Sequence, residues 1–322
     1  MRRISLERRF HHNLNYQQEK INMVRVYYSP NYVLSGCSFD TTRKARWIAD
    51  SLSNTPMPNV ELVEPDSLTE QQVSDLHDPG YVQSIRTGTP RELAESQGFN
   101  WDASLWPMVL SSNGGAVAAA LAALEHGVAG SLSSGLHHAR AESGMGFCTF
   151  NGLVLSAKAA LRAGAKSVLI LDLDAHCGGG TASMIASDDR IRQVDVSVCS
   201  LDRYQADSQN RLALVKNAAD YLPTVEQMLH QLDRERQQFD LCIYNAGMDP
   251  FEGCDIGGLA GITLEILEAR ERLVFEWCHQ RRLPVAFVLA GGYVGRRLDQ
   301  NRLVELHRKT LLAASQVDCR RS

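Results

Sequence analysis

The segment 167–181, SVLILDLDAHCGGGT, constrains the chain more than any other. Val168, Leu169, Ile170 and Leu171 form an uninterrupted apolar run. It passes into Asp172, Leu173, Asp174, Ala175 and His176, and then into three glycines. A short run of this kind, closed by turn residues, suits a strand buried on both faces, as in a parallel sheet. Open α/β sheets bind their ligands beyond the C-terminal ends of their strands. The polar groups that end this run therefore stand where a ligand belongs. Asp174 and His176 are two residues apart, so on an extended chain they point to one side, as a pair of metal ligands would.

The rest of the chain repeats the pattern. Strand-like runs at 24–28, 60–63, 194–199, 240–246 and 284–289 alternate with helical patterns at 42–52, 114–126, 153–162, 223–237, 263–279 and 298–314. That alternation predicts an α/β fold with one doubly wound parallel sheet. No Pro/Ser-rich linker and no internal repeat divides the 322 residues. The stretch 90–107 has weak periodicity and reads as a long surface loop. Residues 1–22 are basic and polar without an apolar stretch, and are expected to form a disordered N-terminal extension to a compact domain over 23–322. A net charge of -4 offers no basic field, so direct nucleic-acid binding is not expected. No apolar run reads as long enough to span a membrane. Eight cysteines are scattered without paired spacing, which predicts reduced thiols and a cytoplasmic location.

Three strand ends carry polar groups: Asp174 with His176, then Asp249, then Tyr293. A further segment carries His137 and His138. Each has an ordinary explanation when taken alone. An Asp after a strand is commonly a helix cap or turn residue, a histidine pair is commonly at the surface, and Gly-Gly-Tyr is commonly a turn with a packed ring. Parallel strands change the weighting, because they bring their C-terminal ends to one side of the sheet. One imidazole and two carboxylates then complete a set of three, and catalytic zinc commonly has three protein ligands and one open position.

The segments HHARAESGMGFCTFN, DLDAHCGGGT, YNAGMDPFEGCDIGGL and LAGGY resemble the motifs of the histone deacetylase family, in that family's order. The resemblance runs from about residue 23 to the C-terminal helix and looks closest to the class IV branch. The wider group includes acetylpolyamine amidohydrolases. It implies a single-domain, three-layer arginase/deacetylase fold, with an eight-stranded parallel sheet and helices on both faces. It also implies one catalytic Zn²⁺ per chain, held by Asp174, His176 and Asp249. His137 and His138 would be the paired active-site histidines, and Tyr293 would polarise the substrate carbonyl. Asp172 would support His137 and, with Ser197, belong to a structural K⁺ site. Gly146 would offer its carbonyl to the amide N–H, with Phe147 and Tyr204 as channel walls. The implied substrate is an N-acylated protein lysine or a small-molecule amide such as an acetylated polyamine. Acyl length and oligomeric state stay open.

These residue types suit amide hydrolysis. A zinc ion can polarise a carbonyl and acidify water. A histidine can take the water proton and pass it to the leaving amine. A phenol can donate to the developing oxyanion. His138 is the expected base, with His137 as an electrostatic or acid partner. One departure bears on this. Relatives carry Asp or Asn where Gly179 stands, and that side chain supports the second histidine, so His138 is expected to lack its usual partner unless a water or another side chain substitutes. An arginase-type ureohydrolase on the same fold would need a carboxylate at Gly178 and another just after Asp249. Glycine stands at the first place, and Pro250 and Phe251 follow Asp249. The remaining alternative is a non-catalytic binder of acyl ligands, which only Gly179 favours.

Overall fold

The structure is a computed structural model that describes residues 23–35 and 40–317; the expected N-terminal extension lies outside the described residues. Among these, eight strands form one sheet: β1 (Val24–Tyr27), β2 (Val60–Val63), β3 (Val128–Ser131), β4 (Val168–Asp172), β5 (Ile191–Ser197), β6 (Asn210–Leu214), β7 (Leu241–Gly247) and β8 (Val285–Ala290). Their order is β2-β1-β3-β8-β7-β4-β5-β6. Every pairing is parallel. All residues of β4, β7 and β8 are buried, which is why their sequences are continuous apolar runs and not alternating ones.

Successive residues of β4 serve opposite faces. Leu169 and Leu171 join a core with Tyr244, Phe275 and Phe287, closed by the helices Tyr221–Arg234, Leu264–Gln280 and Gln300–Gln316. Val168 and Ile170 join a second core with Ile243 and Val288, closed by the helices Leu105–His126 and Gly152–Arg162. The three-layer α/β architecture expected from the sequence is therefore present.

Local differences have physical reasons. β3 is four small residues, VAGS, buried throughout, and carries no hydrophobic period that a strand would announce. β6 is a half-buried edge strand inside what reads as loop. Helix Leu105–His126 begins well before 114, because Pro107 sits in its first turn, where a missing N–H breaks no helical bond. A short helix, Arg91–Ala94, also interrupts the expected loop. By length and composition the helix Leu105–His126 could cross a membrane, contrary to the expectation that no run is long enough. Here its alanines 116, 119, 120, 122 and 123 pack in the second core.

Beneath the ends of β4 and β7 lies a wholly buried cation, Arg270. Its guanidinium donates to the Leu173 carbonyl at 3.1 Å, the Tyr221 hydroxyl at 3.0 Å and Glu271 Oε1 at 2.6 Å. It also reaches Met248 Sδ at 3.7 Å. Leu173 and Met248 immediately precede Asp174 and Asp249, so one side chain ties together the two segments that carry the carboxylates.

Candidate active site

The polypeptide leaves β4 in a tight curl held by its own carboxylates. The backbone N–H of Asp174 donates to Asp172 Oδ1 at 3.2 Å, and that of His176 to Asp174 Oδ1 at 3.0 Å. From β7, Asp249 Oδ1 accepts the N–H of Ala175 at 3.0 Å. His176 Nδ1 then lies 3.1 Å from Asp174 Oδ1 and 3.1 Å from Asp249 Oδ2. Asp174, His176 and Asp249 offer three donor atoms within 4.8 Å of one another. The three residues are 4%, 5% and 0% exposed. Asp249 Oδ2 makes no well-aligned hydrogen bond among the described residues despite complete burial, although it stands 3.1 Å from His176 Nδ1. A buried carboxylate oxygen so poorly satisfied is costly, and a cation shared with Asp174 and His176 would satisfy it. One imidazole and two carboxylates fit a divalent metal. Gly291 of the turn after β8 makes room: a Cβ there would stand 2.3 Å from Asp249 Oδ1.

The charges agree with this. Burial raises the Asp249 carboxyl, and the neighbouring Asp174 charge raises it further. Burial also opposes ionisation of Asp174, but the His137 and His176 imidazoles outweigh it and hold that carboxyl well below the usual range.

The histidine pair stands beside the triad, with ring centroids 4.1 Å apart. His137 Nδ1 donates to Asp172 Oδ2 at 2.7 Å. Burial lowers its affinity for a proton, but Asp172 and Asp174 prevail and raise it to about 10. His138 behaves oppositely. Burial, and then the charge on His137, bring it down to about 4. The two rings are thus driven in opposite directions, His137 toward the cation and His138 toward the neutral imidazole. Gly179 gives His138 no partner, as expected, and another side chain substitutes: its Nδ1 lies 3.0 Å from Asp202 Oδ2, a residue of the loop after β5. Nothing in the sequence pattern flagged Asp202.

Asp172 lies level with Asn245 of β7, which donates to its Oδ1 at 2.8 Å. On the other side it lies level with Asp195 of β5. Burial first, and then the charge on Asp172, raise the Asp195 carboxyl well above its ordinary value. Ser197 Oγ donates to the Asp195 carboxylate and lies 3.2 Å from the His176 carbonyl.

Tyr293 is almost fully buried, and burial, with Asp249 and Asp174 nearby, keeps its hydroxyl protonated well past the usual phenol value. Phe147 stacks on Phe99 at 5.3 Å, its N–H held by the Gln97 carbonyl at 2.8 Å. Gly146 backs onto His138, since a Cβ there would stand 2.5 Å from Cδ2 of that ring. The Tyr204 hydroxyl donates to the Arg211 carbonyl at 3.0 Å and lies 3.4 Å from Gln193 Nε2. Lys44, which the sequence reading did not single out, is buried and donates to the Gly291 carbonyl at 2.7 Å and Ser134 Oγ at 3.1 Å. It thereby fixes the turn that carries Tyr293.

Known proteins resemble this chain in sequence and in fold. The chain is 32% identical over 259 residues to an uncharacterized protein of Picosynechococcus, covering 74% of this chain and 86% of that one. It is 28% identical over 296 residues to histone deacetylase 2 of Arabidopsis thaliana, covering 85% and 76% respectively. Its fold matches that of an acetylpolyamine aminohydrolase from Burkholderia pseudomallei with a TM-score of 0.74 at 19% identity, over 91% of this chain and 99% of that one. The histone deacetylase domain matches residues 38–308. With that domain spanning most of its length, the chain belongs to the histone deacetylase family.

Proposed function

We propose that this protein is a zinc-dependent deacylase that hydrolyses an N-acyl amide, an acyl-lysine or an acetylated polyamine or other small amine. The observation that carries the reading is the buried Asp174, His176 and Asp249 triad with the His137 and His138 pair beside it. Bound zinc would supply Lewis acidity toward the amide carbonyl and the attacking water. The residues around it divide the remaining work. His138, neutral near pH 7, takes the water proton and returns it to the leaving amine nitrogen. His137, cationic and held by Asp172, stabilises negative charge. Tyr293 donates a hydrogen bond from its hydroxyl to the developing oxyanion. Phe147 and Phe99 supply an apolar wall for the chain leading to the scissile bond. A structural K⁺ would lie beside Asp172, Ser197 Oγ and the His176 carbonyl, offsetting the charge that Asp172 and Asp195 share.

A non-catalytic binder would be favoured by a base without support. Asp202 beside His138 removes that reason. Metal analysis of the purified protein, followed by turnover on amides of graded acyl length and on acetylated polyamines, tests the reading. Stoichiometric zinc with release of carboxylate and amine is expected. Full zinc with no turnover on any amide would sink it.

A further inference from the structure

Gly179 opens the helix Gly179–Ile185 and has no side chain to give the neighbouring histidine. The space is nevertheless full. A Cβ on Gly179 would lie 2.3 Å from the carbonyl oxygen of Asp202, 2.5 Å from its Oδ1 and 2.7 Å from its Cγ. Asp202 arrives from the β5–β6 connection with a left-handed backbone, φ 58°, a conformation that Asp tolerates better than most residues. Its side chain is only 2% exposed.

Both carboxylate oxygens are committed. Oδ2 accepts the backbone N–H of Gly180 at 3.0 Å and lies 3.0 Å from His138 Nδ1. Oδ1 is bound by the guanidinium of Arg140. Arg140 also donates to the Gly179 carbonyl at 3.1 Å and to Ser183 Oγ at 3.3 Å. A carboxylate held by a guanidinium and an amide N–H acts only as an acceptor, so the imidazole nitrogen facing it must donate. That choice sets the tautomer: Nδ1 carries the proton and Nε2 is bare. Arg140 balances the buried charge of Asp202, so the carboxylate orients the ring.

We propose that Asp202 is the positioning residue of His138, its carboxylate crossing from the loop after β5 into the space that Gly179 leaves open. Gly179 and Asp202 are thus complementary positions: a side chain at 179 and the carboxylate at 202 cannot occupy the same space. The kinetic consequence rests on the deacylase reading; the tautomer does not.

The test compares the metal-loaded wild type with D202A, D202N and G179A. D202A is expected to lower kcat by about 10- to 100-fold, the loss typical of an orienting partner, with KM changed by less than about twofold. Metal content stays at the wild-type value and the fold is retained at the assay temperature, although loss of a buried ion-pair partner lowers the melting temperature. D202N, which can still accept from Nδ1, recovers part of the kcat. G179A, which pushes Asp202 aside, reproduces the D202A defect. Nitrogen-15 NMR of the histidines reports His138 as the Nδ1–H tautomer in wild type and D202N, and as a mixture in D202A and G179A. Wild-type kcat in D202A overturns the proposal, and so does an unchanged His138 tautomer in D202A and G179A. Loss of kcat only together with metal or fold, in D202N as well, also overturns it, because Asp202 would then be a prop of the loop. A wild type inactive on every amide refutes the deacylase reading instead, and the tautomer measurement still decides the role of Asp202.

Discussion

Asp172 Oδ2 accepts from His137 Nδ1 at 2.7 Å, while its Oδ1 is taken by Asn245 at 2.8 Å. The carboxylate is thus pinned from β7 and cannot turn away from the imidazole. With Asp174 it keeps His137 charged, raised to about 10, whereas His138 is brought down to about 4. The two adjacent histidines are driven apart in protonation, which is how one site obtains a base and a cation together. D172A should lower kcat by about 10- to 100-fold, as loss of a supporting partner does. His138→Ala should be more damaging than His137→Ala in steady-state assays with verified metal content. The reverse order would exchange the two roles.

Asp249 and Asp174 are two buried carboxylates, and the charge of each raises the cost of ionising the other. Added zinc is therefore expected to raise the melting temperature of the wild type, because a ligand bound only by the folded state stabilises it by mass action. D249N and H176A should lose both this shift and turnover. Differential scanning fluorimetry with and without a chelator checks it, and a metal-independent melt in the wild type would contradict the ligand assignment.

Tyr293 keeps its proton because it is buried beside carboxylates. Y293F removes the donor and leaves the ring. Metal content should be unchanged, and kcat should fall by about 10²- to 10³-fold, the cost of losing one oxyanion donor. Unaltered turnover would remove Tyr293 from the mechanism.

His77 sits behind the histidine loop in a neutral state. Its Nδ1 donates to the Arg140 carbonyl at 2.9 Å, and its Nε2 accepts the Asn151 N–H at 3.2 Å. Burial holds it down to about 4. In the unfolded chain the same ring takes a proton near about 6.5, so between these values the unfolded state binds more protons. The contribution is fully present above about pH 6.5 and is lost as pH falls toward 4, by at most about 3 kcal/mol. Melting temperature against pH should therefore decline more steeply in wild type than in His77→Gln, which cannot titrate. Parallel curves would show that His77 is not the group responsible.

The central strands were legible because burial on both faces leaves a continuous apolar run, as in Val168–Asp172 and Val285–Ala290. The triad was legible because its members directly follow such runs. β3 was not, since alanine, glycine and serine carry no period, and its place is set by pairing with β1 and β8. The early start of helix Leu105–His126 was hidden by Pro107, which usually marks a break but is harmless in a first turn. Asp202 was out of reach for a different reason. Local pattern ties a residue to its neighbours, and here the partner of His138 comes from another loop in a left-handed conformation. The only trace was a missing side chain at 179.

That exchange ties two segments to a common fate. The turn after β5 sits at the rim, where insertions and loop swaps are ordinarily tolerated. In this chain it also furnishes the carboxylate beside His138, so a loop grafted from a relative with an acid at 179 would bring no replacement. Engineering that rim requires the pair to travel as one cassette: glycine with aspartate, or an acid at 179 with a small residue at 202.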